Sequence, residues 1–98
     1  MLELRSRCEH CAINLPPSSK DAFICSFECT FCRDCVTLLE EVCPNCGGAF
    51  QLRPVRPEQN FKNGNYLANY PAQQDSIHRP VAMALHRALV ASVKGASL

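Results

Sequence analysis

The chain has 98 residues, eight of them cysteine, and a formal net charge of +1 at pH 7. This length suits one small domain with a tail, and no run of residues approaches the ~20 apolar residues of a membrane span. The segment Met1-Leu2-Glu3-Leu4-Arg5 lacks the apolar stretch of a secretory signal, so we expect a cytoplasmic protein with reduced cysteines.

Three regions follow one another along the chain. Residues 1–50 contain all eight cysteines and form the predicted cysteine module. Residues 51–76 hold three prolines among many Asn and Gln residues, which predicts an irregular connector. Residues 77–98 are expected to form an amphipathic C-terminal helix.

The cysteine module contains a predicted hairpin and one predicted helix. Ala22-Phe23-Ile24 is the first strand candidate, and Glu28-Cys29-Thr30-Phe31 is its expected partner. A helix is predicted from Arg33 to Val42, and Pro44 with Gly47-Gly48 opens the next turn. The predicted apolar core consists of Phe23, Ile24, Phe27, Phe31, Leu38 and Leu39.

The C-terminal helix is expected to start near His78-Arg79-Pro80, because proline is tolerated in the first turn. At helical spacing one face carries Val81, Leu85, Ala88, Leu89 and Ser92. We expect this helix to pack on the module or on a second copy of the chain.

Metal binding is the strongest chemical prediction. In a CxxC pair a tight turn brings two thiolates onto one ion, and the chain has three such pairs plus a CxxxC pair. All-thiolate ligation fits zinc best, with iron as the alternative. We predict two Zn²⁺ per chain in two four-cysteine sites, held by Cys8, Cys11, Cys25, Cys29, Cys32, Cys35, Cys43 and Cys46. His10 lies inside the first pair and is expected to be an exposed loop residue, since the cysteine set is complete.

The segment from Cys29 to Val36 resembles the RING finger pattern H-x-F-C-x-x-C-hydrophobic, with Cys29 in the usual histidine position, and Cys43-Pro44-Asn45-Cys46 matches its C-P-x-C. This resemblance covers residues 8–46 and implies a small RING-like, treble-clef α+β fold with a cross-brace. One ion would be held by Cys8, Cys11, Cys32 and Cys35, and the other by Cys25, Cys29, Cys43 and Cys46. A sequential pairing, as in LIM-like modules, is the alternative, although the seven residues between Cys35 and Cys43 are few for a LIM finger.

A narrower resemblance covers residues 1 to about 57. Met1-Leu2-Glu3-Leu4-Arg5, the segment from Ile24 to Cys32, Cys43 to Gly48, and Arg53-Pro54-Val55-Arg56-Pro57 are similar to a bacterial family of short cysteine-rich proteins. That family is classed as a domain of unknown function, so the resemblance implies a bacterial cytoplasmic origin and no assigned activity.

The favoured function is a non-catalytic module that binds another protein. A four-cysteine site has no open position for water or substrate, and the chain has no recognisable catalytic set. A RING-type ubiquitin ligase is an alternative, but such ligases use an aliphatic residue in the first knuckle, often an aromatic residue after the helix, and a basic residue after the last cysteine. Here the position in the first knuckle resembles His10 and the position after the last cysteine is Gly47, and the chain contains no tryptophan. All three features differ from the ligase pattern.

Nucleic-acid binding and redox or zinc sensing are the remaining alternatives. Phe61, Tyr66 and Tyr70 lie near basic residues in the connector, an arrangement that stacks bases in other proteins. However, residues 1–50 hold four Lys/Arg and seven Asp/Glu for a charge of −3, against +4 in residues 51–98. Eight thiolates with two Zn²⁺ lower the net charge of the module to about −7, which disfavours binding to the phosphate backbone of a nucleic acid.

Overall fold

The computed structural model describes residues 1–73 and 77–96. Its elements in chain order are β1 (Ala22–Ile24), β2 (Thr30–Cys32), α1 (Arg33–Leu38), β3 (Gln51–Leu52) and α2 (Met83–Ala96). This is the small α+β architecture predicted, with a hairpin and a helix in the cysteine module and a helix near the C-terminus. Residues 74–76 of the predicted connector and residues 97–98 of the predicted helix lie outside the described residues.

The sheet has three antiparallel strands in the order β2-β1-β3. Phe23 pairs with Phe31 on one side and with Leu52 on the other. The predicted hairpin is therefore confirmed, although its second strand starts at Thr30 and not at Glu28, because Glu28 has a φ of 65° and belongs to the turn. Strand β3 was not predicted, since two residues are too few for an alternating pattern.

The core lies between the sheet and α1. Phe31 is 1% exposed and meets Phe50 edge-on, with ring centroids 5.5 Å apart. Two members of the predicted core are wrong: Phe27 is 71% exposed and Leu38 is 51% exposed. Phe27 lies in the turn that presents Cys25, and α1 turns Val36 toward the core and Leu38 toward solvent.

Helix α1 ends at Leu38, four residues before the predicted end at Val42. Glu40 and Glu41 have φ values of 57° and 63°, in the left-handed region that commonly ends helices. The N–H of Glu41 donates to the carbonyl of Val36 at 3.0 Å, which satisfies one of the carbonyls that lack a partner at the end of a helix. The reversal turns the chain back toward the sheet and places Cys43.

Helix α2 begins at Met83, five residues after His78. The preceding residues are held outside the helix by the first knuckle, since the N–H of Arg79 donates to the carbonyl of Glu9 and the N–H of Val81 donates to His10 Nδ1, both at 2.8 Å. Among the described residues no helix is both long and apolar enough to cross a bilayer.

The packing of α2 on the cysteine module agrees with the prediction, but the predicted face is correct only in part, since Val81 and Leu89 are half-buried while Ala88 and Ser92 are exposed. His86 and Val90 are buried, whereas Leu85 is 75% exposed. The orientation is set by His86, which donates from Nε2 to the carbonyl of Leu39 at 2.8 Å. Leu89 therefore lies over Gly47 of the last knuckle.

Two arginines after β3 hold the N-terminal segment. Arg53 is only 2% exposed, and it donates to the backbone carbonyls of Arg5, Leu15 and Pro16. Burial lowers the pKa of Arg53, and the nearby charge of Arg56 lowers it further. Arg56 donates to the carbonyls of Leu2 and Tyr70. The arginines of the Arg-Pro-Val-Arg motif therefore tie the chain start to the sheet.

Candidate metal centres

The first cluster joins the first and third cysteine pairs. The four sulfurs of Cys8, Cys11, Cys32 and Cys35 all lie within 4.8 Å of one another. The Sγ atoms of Cys11 and Cys32 are 3.7 Å apart. A tetrahedral zinc site with Zn–S bonds of about 2.3 Å has sulfur–sulfur edges of about 3.8 Å, whereas a disulfide needs about 2.05 Å. All eight cysteines are free thiols, and the first cluster has the spacing that a tetrahedral ion requires.

Secondary structure positions the two central ligands of this cluster. Cys32 ends β2 and is also the N-cap of α1, and its sulfur accepts the N–H of Cys35 at 3.4 Å. Cys8 lies in a small turn, where the N–H of Ala12 donates to its carbonyl at 2.9 Å. The cluster is thus assembled at a strand-to-helix junction.

The electrostatics of the first cluster fit a cation. Burial raises the pKa of the Cys35 thiol far above its usual range, and the thiols of Cys32 and Cys8 raise it further. Burial also raises the pKa of Cys32. At Cys8 burial acts in the same direction, but backbone N–H groups outweigh it and lower the pKa. Crowded thiols that resist ionisation by themselves become thiolates when a divalent ion supplies the missing positive charge.

The second cluster contains Cys25, Cys43 and Cys46, whose sulfurs also lie within 4.8 Å of one another. Burial raises the pKa of Cys43, partly offset by N–H groups of Asn45 and Cys46. Cys29 is not part of this sulfur group, but its thiol interacts with the thiol of Cys25 and with the side chain of Asn45. Three of the four predicted sulfurs therefore converge, with the fourth cysteine beside them.

The turns around the clusters share a conformation. The residue after the second cysteine has a positive φ in the first and the last CxxC knuckle, 62° at Ala12 and 76° at Gly47. Backbone N–H groups also point at sulfur, from Phe27 to Cys25 and from Gly48 to Cys46, each at 3.3 Å. Such N–H···S bonds stabilise thiolates.

The two sulfur groups decide between the pairing schemes. Cys8 and Cys11 lie with Cys32 and Cys35, while Cys25 lies with Cys43 and Cys46. The arrangement follows the crossed pairing, and the sequential alternative is wrong for these seven cysteines. Cys29, the fourth predicted member of the second group, lies beside it, and its thiol interacts with that of Cys25.

Glu9 is a site residue that sequence reasoning missed. Its side chain is 1% exposed, and its carboxylate accepts bonds from the N–H of Thr30 at 3.1 Å and from the amide of Asn45 at 3.0 Å. Arg5 pairs with it at 3.2 Å and Arg79 at 3.5 Å. Nothing in the sequence distinguishes Glu9 from a solvated loop carboxylate, because its partners come from four separate segments.

Within residues 1–73 and 77–96, no histidine joins either cysteine cluster. His10 is half-buried, not exposed as expected, because its ring accepts the N–H of Val81. His86 is buried beside a groove of about 320 Å³ that separates α2 from the last knuckle. The histidines therefore hold the C-terminal segment against the module.

The chain is similar to one known protein family over residues 1–56 and to a bacterial relative over most of its length. A family model described as a protein of unknown function (DUF1272) matches residues 1–56, which include every cysteine and all three strands. An uncharacterized protein, R02474, of Rhizobium meliloti (strain 1021) is 48% identical over 89 residues, covering 90% of this chain and 99% of the relative. No solved structure matches the chain. The family match spans more than half of the sequence, so the chain belongs to the DUF1272 family of bacterial cysteine-rich proteins.

Proposed function

We propose that the chain is a structural zinc protein in which two Zn²⁺ ions hold together a small, non-catalytic protein-interaction module. The observation that carries this proposal is the crossed pair of sulfur clusters, one of which has a sulfur–sulfur distance of 3.7 Å. Soft thiolate ligands select zinc over the hard cations that prefer oxygen. Eight free thiols also suit a reducing compartment such as the cytoplasm.

In this proposal Cys29 is the fourth ligand of the second ion. Its thiol interacts with that of Cys25, which is a member of the second cluster. A four-thiolate site is closed, and it leaves no coordination position at which water or substrate can be activated. The ions therefore stabilise the fold, and the function is carried by the surface.

Phe27 is the strongest candidate for a contact residue on that surface. It is 71% exposed, and its backbone is anchored because its own N–H donates to Cys25 Sγ. An exposed aromatic ring on an anchored backbone is typical of the anchor residues of protein interfaces. The loaded module carries about −7 charges, so the partner is expected to present a basic surface with an apolar pocket.

A nucleic-acid partner is less well supported. Arg53 is buried, and Arg56 donates to two backbone carbonyls, so both of these cations are used inside the fold. Phe61, Tyr70 and Lys62 remain exposed, but two aromatic rings with one cation make a weak platform for a nucleic acid.

The interaction role is tested by affinity capture with two matched variants. Phe27→Ser and Phe61→Ser each remove a phenylalanine that is more than two-thirds exposed, at 71% and 76%. We expect wild type and Phe61→Ser to retain the same partner from a bacterial lysate, and Phe27→Ser to retain at least about tenfold less of it. The metal content should be equal in all three.

Equal retention by both variants, or no retention above a tag-only control, would contradict the proposed surface. The ligase alternative is tested separately by discharge of ubiquitin from a charged conjugating enzyme. No stimulation is expected, and clear stimulation would favour the ligase alternative.

A further inference from the structure

Glu9 lies where the two cysteine clusters meet. It is the residue after Cys8, inside the first CxxC knuckle. One carboxylate oxygen accepts the N–H of Thr30, which stands between ligands of the two clusters, and the other accepts the amide of Asn45. Asn45 lies inside the last CxxC knuckle, which belongs to the second cluster. A single side chain therefore connects the ligand loops of both clusters.

The position is costly for a carboxylate, which argues for a specific role. Each loaded four-thiolate cluster carries a net charge of −2, so a neighbouring anion is repelled by both. Burial adds a desolvation cost that an ion pair repays only with good geometry. Arg5 and Arg79 supply the compensating charge from two further segments. Buried ionic groups of this kind are better documented as devices that fix register than as sources of stability.

The backbone around Glu9 strengthens the connection. Its N–H donates to the carbonyl of Thr30 at 3.0 Å, and its carbonyl accepts the N–H of Arg79 at 2.8 Å. When an ion orders the first knuckle, Glu9 is placed so that its oxygens hold Thr30 and Asn45. The ligand loops of the second cluster are then partly ordered before the second ion arrives, which lowers the entropic cost of binding it.

We propose that Glu9 is a positioning residue that couples the two metal centres, so that an ion in one cluster raises the metal affinity of the other. This inference rests on the proposed function, since it needs two ions per chain. It goes further by assigning a role to a residue that is not itself a ligand. Thermodynamic linkage requires the coupling to be reciprocal between the two clusters.

The test is native mass spectrometry of the full chain with one equivalent of Zn²⁺. Two equal, independent sites give about one half of the chains with a single ion, whereas tenfold coupling lowers that share to about a quarter. We expect wild type to show the lower share and Glu9→Gln to approach one half. Glu40→Gln is the matched control, because Glu40 is an exposed carboxylate paired with Lys94, and it should behave as wild type.

Asn45→Ala provides a second route, since it removes the amide that Glu9 holds in the other cluster. It should raise the one-ion share as Glu9→Gln does, and the double variant should add little because the two changes interrupt one connection. Equal one-ion shares in wild type and both variants would overturn the coupling. So would a uniform loss of affinity with no increase in the one-ion species, because that result means Glu9 is only structural. A wild-type chain that never binds two ions would instead overturn the proposed function.

Discussion

The cysteine module and helix α2 are held in place by different physical means. The module closes around two sulfur clusters, and its largest buried groups include ligand residues and the clamping Arg53. Helix α2 contributes no ligand to those clusters and docks through His86 and Val90. Structural zinc sites contribute on the order of 10–16 kcal/mol each, whereas burying one valine side chain contributes about 1.5–3 kcal/mol. Changes in the module should therefore affect the whole fold, and changes in α2 should have small effects.

The largest effect is expected from removing one ligand. Cys8→Ser and Cys46→Ser each take a sulfur from a different cluster. Because a zinc site contributes about as much as the total stability of a typical domain, each variant should lose at least one ion and most of its cooperative unfolding transition. Metal analysis and thermal unfolding followed by circular dichroism measure both. Thr37→Ser, an exposed change on α1, is the control.

An intermediate effect is expected at the arginine clamp. Arg53→Met leaves three backbone carbonyls without their donor and should lower the free energy of unfolding by about 2–4 kcal/mol. Arg56→Met removes two bonds at a more exposed place and should cost about 1 kcal/mol. Denaturant unfolding of the zinc-loaded proteins gives both values. Equal costs would mean that the burial of Arg53 has no special importance.

The smallest effect is expected in α2. Val90→Ala removes two buried methyl groups and should cost about 1–2 kcal/mol. Leu85→Ala changes a side chain that is 75% exposed and should stay within about 0.5 kcal/mol of wild type. The same unfolding experiment compares them. A larger loss of unfolding free energy for Leu85→Ala than for Val90→Ala would contradict this account and support the buried helix face predicted from the sequence.

The module was predictable where its pattern is local. A separation of two residues lets both cysteines of a pair reach one ion, so spacing indicated the pairs Cys8–Cys11, Cys32–Cys35 and Cys43–Cys46, and short apolar segments indicated the hairpin. The resemblance to RING fingers implied the crossed pairing. Phe27 was misplaced because apolar character indicates burial only on average, and a turn that presents Cys25 leaves its neighbour outside.

The C-terminal segment was harder because its contacts are with distant residues. The predicted helix includes residues 78–82, but hydrogen bonds to Glu9 and His10 keep that stretch out of the helix. The buried face is selected by the bond from His86 to Leu39, and a histidine gives no such signal in a sequence. The burial of Arg53 was missed for the same reason, since its carbonyl partners belong to the other end of the module.

The central claim is that two metal ions, held in crossed pairs of cysteines, maintain the fold. Native mass spectrometry of the full chain, before and after a strong chelator, tests it most directly. The account predicts two zinc ions per chain and, after chelation, a shift to the high charge states of an unfolded protein. A stoichiometry other than two, or a fully retained fold without metal, would contradict it.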